Sequence, residues 1–362
     1  MTTSEPMLRA IAAARAARGR TSPNPWVGAA LVQGDAIVSV GATAPYGGPH
    51  AEAAALANAD ARGGTLYTTL EPCVPFEGKR TPPCSEAIIE AGVAKVVIGI
   101  LDPHVGGPGV ARLREAGIEV EVGDGGEEIT ALLRPYLKFR ATGRPYVIAK
   151  FAVSLDGKVG APAAGVRWLT SEAALERAHA DRAWVDAIMV GSGTVLADDP
   201  ALTARPGGEV DARQPVRVVL DARGRSEPGS RVFGAGGKTI VGTTRDAPAE
   251  WRQQVTGRGA TVMELEAGEH GVNLDQLLEA LARGNIMSLI AEGGPTVLAS
   301  LFAGEHVDEV HAYVAPRILG DLGIPLEVTG SPLSLAETVI EPFPPDVLIR
   351  GYTGSWAQRL AL

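Results

Sequence analysis

Two α/β domains in tandem are what this sequence predicts, and three observations carry the expectation. The chain has 362 residues, room for two domains at roughly 100–200 residues each. Apolar segments of strand length alternate with helical ones in both halves, the pattern of sheets covered by helices. Between the two series lies a polar stretch, Leu133–Arg144, marked by Gly143 and followed by Pro145. The domains are accordingly drawn at 1–142 and 145–362. A composition of 45% hydrophobic and 21% charged residues lets each half bury a core. With 45 Gly and 26 Pro against 5% aromatics, many short strand–turn–helix units are expected.

The elements follow in order. Met1 to Gly19 reads as an amphipathic Ala/Arg helix. Trp26–Gln33 and Ile37–Gly41 read as strands separated by a Gly34-Asp35 turn. Ala51–Ala61 is an Ala-rich helix closed by Gly63-Gly64. Thr65–Thr69 is a strand, Ser85–Ala91 a helix and Lys95–Ile100 an apolar strand, followed by a helix near Val110–Ala116 and a strand at Ile118–Val122. In the second half, Tyr146–Val153 is a strand and Glu172–Trp184 a helix capped by Thr170 or Ser171. Ala187–Gly191, Val216–Asp221 and Thr239–Gly242 are strands. Leu274–Ala282 is a helix, Met287–Ala291 a strand, Thr296–Ala303 a helix and Glu309–Val314 a strand. Ala204–Gln214 and Ala222–Lys238 are loops, and no internal repeat is visible.

Charge and cysteine usage exclude several classes. The net charge is -9 and no Lys/Arg block occurs, so the electrostatic footprint of a nucleic-acid binder is missing. Only Cys73 and Cys84 occur, too few for a secreted disulfide scaffold. The first helix lacks the apolar core and cleavage site of a signal peptide. No apolar run reaches the ~18–20 residues that span a bilayer. A cytoplasmic location is expected, with no membrane and no nucleic acid as partner.

The chemistry concentrates in Gly48-Pro49-His50-Ala51-Glu52, Leu70-Glu71-Pro72-Cys73 and Thr81-Pro82-Pro83-Cys84. His50, Cys73 and Cys84 make three candidate zinc ligands, leaving the fourth position that a catalytic zinc keeps for water. Zinc lowers the pKa of such a water from ~15.7 to near 7. Glu52 follows His50 by two residues in the first turn of one helix, beside the metal rather than on it. That placement suits a carboxylate that takes the water's proton and delivers it to the substrate. Pro49 and Pro82-Pro83 precede helix starts, where prolines are tolerated. A helix N-terminus also favours the Cys84 thiolate. The bland alternative is a disulfide between the two cysteines. The ordered set resembles the cytidine/deoxycytidylate deaminase superfamily, whose signature is His/Cys-x-Glu with Pro-Cys-x-x-Cys. Here ten residues separate the cysteines instead of two.

That spacing, with Thr21-Ser22-Pro23-Asn24-Pro25-Trp26-Val27-Gly28 and Arg80-Thr81-Pro82-Pro83-Cys84, resembles the bifunctional riboflavin-biosynthesis deaminase/reductase family over about residues 5 to 350. The resemblance implies an N-terminal cytidine-deaminase-like sheet with flanking helices. It implies hydrolytic removal of the 2-amino group of a diaminopyrimidinone ribosylamine 5'-phosphate, a small phosphoribosyl-pyrimidine. Asn24 would contact the pyrimidine; its other reading is a turn residue before Pro25. Val74-Pro75-Phe76-Glu77-Gly78-Lys79-Arg80 is two residues longer than the family's stretch between the cysteines and lacks its His. Lys79 and Arg80 can still supply a basic contact.

The resemblance continues through Ala149–Gly157, Trp168-Leu169-Thr170-Ser171, Gly193–Pro200 and Glu292-Gly293-Gly294-Pro295-Thr296. It implies a C-terminal α/β domain similar in fold to dihydrofolate reductase, using NADPH. Ala152, Trp168, Thr194, Asp198 and Gly294 would contact the cofactor. Arg182, Leu202, Arg205 and Glu292 would contact the substrate, the arginines holding its 5'-phosphate by paired hydrogen bonds. The Gly293-Gly294 pair lets a phosphate approach a helix N-terminus, though such glycines are as often ordinary turns. Asp198-Asp199-Pro200 fits a capping turn equally well, and a single Arg is more often a solvated surface residue. Lys150 and Asp198 are candidates to polarise or protonate the substrate. Val166 stands where the family usually has a substrate-contacting Ser, a lost contact of order 1 kcal/mol. A homodimer is implied by the resemblance alone.

Three other readings compete. One is a related enzyme with a single working half or another phosphoribosyl-pyrimidine substrate. A zinc-stabilised scaffold is disfavoured by Glu52, since structural zinc needs no general base. A nucleic-acid deaminase is disfavoured by the acidic charge and the second domain.

Overall fold

Ser4 starts the first helix by accepting the Met7 amide on its Oγ, and is itself pinned to the Asp124 carboxylate. The computed structural model describes residues 2–354 except 58, 76–81, 104–105, 162–164, 167, 270, 327 and 329–331. The chain divides into two units, Met1–Thr142 and Gly143–Leu362.

In the first unit, α1 (Glu5–Ala17) buries Met7, Ala10, Ile11, Ala14 and Ala17, one face of a 3.6-residue repeat. Strands β1 (Gly28–Gln33) and β2 (Ala36–Ala42) form a hairpin; α2 (Ala51–Leu56), β3 (Thr65–Leu70), α3 (Cys84–Glu90), β4 (Lys95–Ile100), α4 (Pro108–Glu115), β5 (Glu119–Val122) and α5 (Gly126–Thr142) follow. The sheet order is β2-β1-β3-β4-β5, β1 antiparallel to its neighbours and β3, β4 and β5 parallel. A Cβ on Gly41 would overlap the backbone of Ala51 and Ala55, so α2 lies directly on β2.

The division at Thr142/Gly143 falls inside the expected Leu133–Arg144 stretch, but the polar linker expected there is a correction: through Thr142 it is the second half of α5. Ile129, Leu132, Leu133, Tyr136 and Leu137 are buried at helical spacing, and the Leu132 carbonyl accepts the indole N–H of fully buried Trp26 at 3.1 Å. Burying an aliphatic side chain contributes about 1.5–3 kcal/mol, enough to keep the helix despite Pro135.

The second unit begins with β6 (Tyr146–Ser154), α6 (Glu172–Trp184), β7 (Ala187–Gly191), α7 (Ser192–Asp198), β8 (Val216–Leu220), β9 (Thr239–Thr243), α8 (Ala249–Gly257) and β10 (Ala260–Glu264). It continues through β11 (Ala267–Gly268), β12 (Gly271–Val272), α9 (Leu274–Arg283), β13 (Ser288–Ala291), α10 (Pro295–Ala303), β14 (Glu309–Ala315), β15 (Ala336–Phe343) and β16 (Asp346–Tyr352). The large sheet runs β10-β9-β8-β7-β13-β6-β14-β16-β15, parallel as far as β14, with β16 antiparallel to β14 and β15. Its core joins Val147, Ala149, Met189, Val218 and Leu289 to Leu277, Leu281, Leu298 and Leu301 from the helices. Ser171 is the cap of α6, accepting the Ala174 amide. Among the described residues of this unit, seven of these elements lie where none was expected: α7, α8, β10, the short β11 and β12, and β15 and β16, which form a hairpin. Among the described residues, no helix is long and apolar enough to cross a membrane.

Candidate active sites

Parallel strands gather their following loops at one sheet edge, where ligands bind in such folds. At that edge of the first unit, His50 caps α2 and Glu52 occupies its first turn, Cys73 follows β3, and Cys84 opens α3 behind Pro83. His50 Nδ1 lies 3.5 Å from Cys73 Sγ and 3.4 Å from Cys84 Sγ. All three ligand atoms fall within 4.8 Å of one another, and no disulfide joins the cysteines. A tetrahedral zinc with bonds of ~2.05 Å to nitrogen and ~2.3 Å to sulfur requires N···S spacings of about 3.6 Å. The donor set and its two N···S spacings therefore fit the ion.

Glu52 is buried, and its carboxyl group is pushed up to about 7, first by burial and then by Cys73 beside it. The Cys84 thiol is raised well above its ordinary value by its hydrogen bond with Cys73 and by burial, despite its place at a helix N-terminus. Raised in this way, these groups favour their neutral forms, and a cation held among them would favour the ionised ones.

Asn24 sits in a turn closed by its own amide on the Thr21 carbonyl at 2.9 Å and by Thr21 Oγ1 on the Asn24 carbonyl at 2.8 Å. The turn is thus made without the Asn24 side chain. Arg80 and Lys79 lie outside the described residues.

Glu71 has a role that its motif does not reveal. Its buried carboxylate accepts the amides of Gly109 (2.7 Å), Val110, Asp102 and Gly107 (each 3.2 Å), tying the start of α4 and the loop before it to the strand that delivers Cys73. Asp102 also accepts the Tyr136 hydroxyl at 2.8 Å. Only the fold brings the Glu71 carboxylate to the start of α4, where the helix dipole favours it.

In the second unit, one cleft of about 1350 Å³ opens at the carboxyl ends of β6, β7, β8 and β13. Ala152, Trp168, Thr194, Asp198, Gly294, Arg182, Leu202, Arg205 and Glu292 all line it, as do Lys150 and Val166. Gly294 caps α10 ahead of Pro295, and a Cβ there would reach Thr194 Oγ1.

Arg182 is paired inside the chain: its Nε and Nη2 donate to the two Glu292 oxygens, both at 2.7 Å, and its Nη1 to the Thr203 carbonyl. Lys150 Nζ lies 3.7 Å from Glu292 and over the Tyr313 ring. Burial works against ionisation of Glu292, but Arg182 and Lys150 outweigh it and hold the carboxyl at about 2. Asp198 ends α7, and left-handed Asp199 follows as its cap, so the capping reading of this segment is correct at Asp199. His179, absent from the sequence-based site, also lines the cleft.

Comparison with known proteins bears on both units. The model for the cytidine and deoxycytidylate deaminase zinc-binding region matches residues 1–100, and that for the RibD C-terminal domain matches residues 145–349. The riboflavin biosynthesis protein RibD of Chlamydia pneumoniae is 40% identical over 325 residues, covering 88% of this chain and 86% of the relative. Acinetobacter baumannii RibD is similar in structure, with TM-score 0.84 and 34% identity over 96% of this chain and 97% of the other. So is a diaminohydroxyphosphoribosylaminopyrimidine deaminase/5-amino-6-(5-phosphoribosylamino)uracil reductase of Thermotoga maritima, with TM-score 0.82 and 32% identity over 96% and 97% of the two chains.

Proposed function

The chain belongs to the RibD family, a zinc-type deaminase joined to an NADPH-dependent reductase, and from that premise we propose how its residues divide the work. The deaminase is assigned to 1–142 and the reductase to 145–362. The proposed first substrate is 2,5-diamino-6-(5-phosphoribosylamino)pyrimidin-4(3H)-one. The observation that carries the reading is the convergence of His50, Cys73 and Cys84 beside buried Glu52.

His50, Cys73 and Cys84 would hold zinc, which would supply an acidified water at neutral pH. Glu52 accepts a proton at its carboxylate and returns it to the departing amino group, so that ammonia leaves. Asn24 and Arg80 orient the ring and the charged end of the substrate. In the second unit Ala152, Trp168, Thr194, Asp198 and Gly294 would hold NADPH, whose chemistry would be hydride donation to C1' of the opened ribosylamine. Leu202, Arg205 and the Arg182–Glu292 pair bind the substrate, with Lys150 or Asp198 polarising it. The cleft's task is to hold the two reactants at reacting distance away from water.

A homodimer through the second unit belongs to this reading, carried by the resemblance to the family alone. So does a cytoplasmic location, which keeps the two ligand thiols reduced.

Incubation with the diaminopyrimidinone phosphate and NADPH, following ammonia and NADPH absorbance separately, tests the assignment. Both signals are expected; absence of both would favour the zinc scaffold.

A further inference from the structure

The loop that leaves α7 carries Leu202 at φ 51°, left-handed backbone that a branched side chain rarely adopts. Such an outlier persists only where its surroundings fix it. Here the following residue is held from α6: Thr203 offers its carbonyl to His179 Nδ1 at 3.2 Å and to Arg182 Nη1 at 3.2 Å. Ala204 is held from the other side, its amide and carbonyl both bonded to the Gln214 side chain. The next residue is Arg205, exposed at the cleft, with Nη2 3.3 Å from His179 Nε2.

Donor and acceptor chemistry sets the state of the imidazole. A carbonyl only accepts, so Nδ1 carries the proton; a guanidinium only donates, so Nε2 presents its lone pair. The 3.4 Å approach of Arg182 Nη1 to Nδ1 is then two donors sharing the Thr203 oxygen. Burial and the flanking Arg182 and Arg205 charges push His179 down to about 4, consistent with this neutral tautomer. Arg182 is committed to Glu292 through Nε and Nη2. Among the described residues, Arg205 is therefore the guanidinium in this group with no carboxylate bonded to it, and it lines the cleft.

We infer that His179 is a positioning residue for a phosphate monoester subsite: its Nε2 aims the Arg205 guanidinium while its Nδ1–H holds the Leu202–Thr203 turn. The inference rests on Arg205 being the phosphate ligand of the proposed reductase substrate. With the Arg182 guanidinium locked to Glu292 and His179 held neutral, Arg205 is the charge that His179 aims. Misdirecting it should act on binding of the phosphate rather than on hydride transfer.

Calorimetric binding of ribose 5-phosphate to the full chain reads the subsite apart from turnover. His179→Asn keeps a donor near Nδ1 but withdraws the acceptor from Arg205; His179→Gln keeps an acceptor near Nε2. The asparagine variant should weaken binding about tenfold, the loss of one oriented charge-assisted hydrogen bond, and the glutamine variant should stay within about threefold of native. The reductase KM for its phosphorylated substrate should follow the same order while kcat changes less than about threefold. His179→Asn combined with Arg205→Ala should bind no worse than Arg205→Ala alone.

If Arg205→Ala binds ribose 5-phosphate as native does, the phosphate reading of Arg205 falls. If Arg205→Ala weakens binding but the asparagine and glutamine variants behave alike, or the double variant shows the full sum of both losses, that reading stands and the positioning role of His179 is overturned.

Discussion

Glu71→Gln removes a charge that four amides converge on. The carboxylate receives Gly109 and Val110 on one oxygen and Asp102 and Gly107 on the other. An amide keeps one acceptor oxygen and turns a donor toward the remaining pair of N–H groups. Gly109 and Val110 are buried, whereas half-buried Asp102 and Gly107 can take water instead. With hydrogen bonds to a charged group worth about 1.5–3 kcal/mol each, partial replacement by water leaves a cost of about 2–4 kcal/mol. The lost charge at the start of α4 adds about 0.3–1 kcal/mol. Because the two units need not unfold together, hydrogen exchange over 107–115 is the appropriate assay, with zinc retention against a chelator measured beside it. Protection should fall by at least about tenfold and zinc should leave faster, since Pro72 and Cys73 follow directly. Native protection with native zinc retention would refute the claim that Glu71 braces this edge of the site.

Three further outcomes follow from particular contacts. Gly41→Ala would drive a methyl group into the backbone of Ala51 and Ala55; about 1–3 kcal/mol of overpacking should displace α2 and lower ammonia release, with NADPH oxidation unchanged. Cys84→Ser should lower the zinc content of the purified chain from about one per molecule to near zero, and retained stoichiometric zinc would remove Cys84 from the ligand set. Buried His311 is raised to about 9: burial opposes this, but the hydrogen bonds to Asp181 and Glu309 prevail. A raised folded-state value gives stability that is whole below the unfolded value near pH 6.5 and lost as pH rises through 9. The loss is on the order of 3 kcal/mol at 1.36 kcal/mol per pH unit. Urea midpoints of the second unit should fall between pH 7 and 9, and His311→Gln should flatten that dependence.

Much of the metal site was legible because its logic is local. A ligand at a helix cap, a carboxylate two residues later and cysteines at a strand end and helix start can each be read from short segments. Helix α5 was obscured by Pro135, Lys138 and Arg140, which suggest a polar linker, although its apolar residues keep helical spacing. The β15–β16 hairpin was missed because most of β15 is exposed and lacks apolar alternation. Spacing also cannot show which charges meet. Arg182 and Glu292 lie 110 residues apart, and only the fold reveals that they bind each other and leave Arg205 to His179. Glu71 was passed over for the same reason, its four partners lying 31 to 39 residues downstream.

The most direct test of two separate chemistries in one chain is Glu52→Gln assayed on both substrates. The account predicts that ammonia release from the diaminopyrimidinone phosphate stops, while NADPH oxidation with the deaminated substrate continues at the native rate and zinc remains bound. Ammonia release at the native rate would contradict the role given to Glu52, and loss of both activities in a folded, zinc-loaded chain would contradict the independence of the two sites.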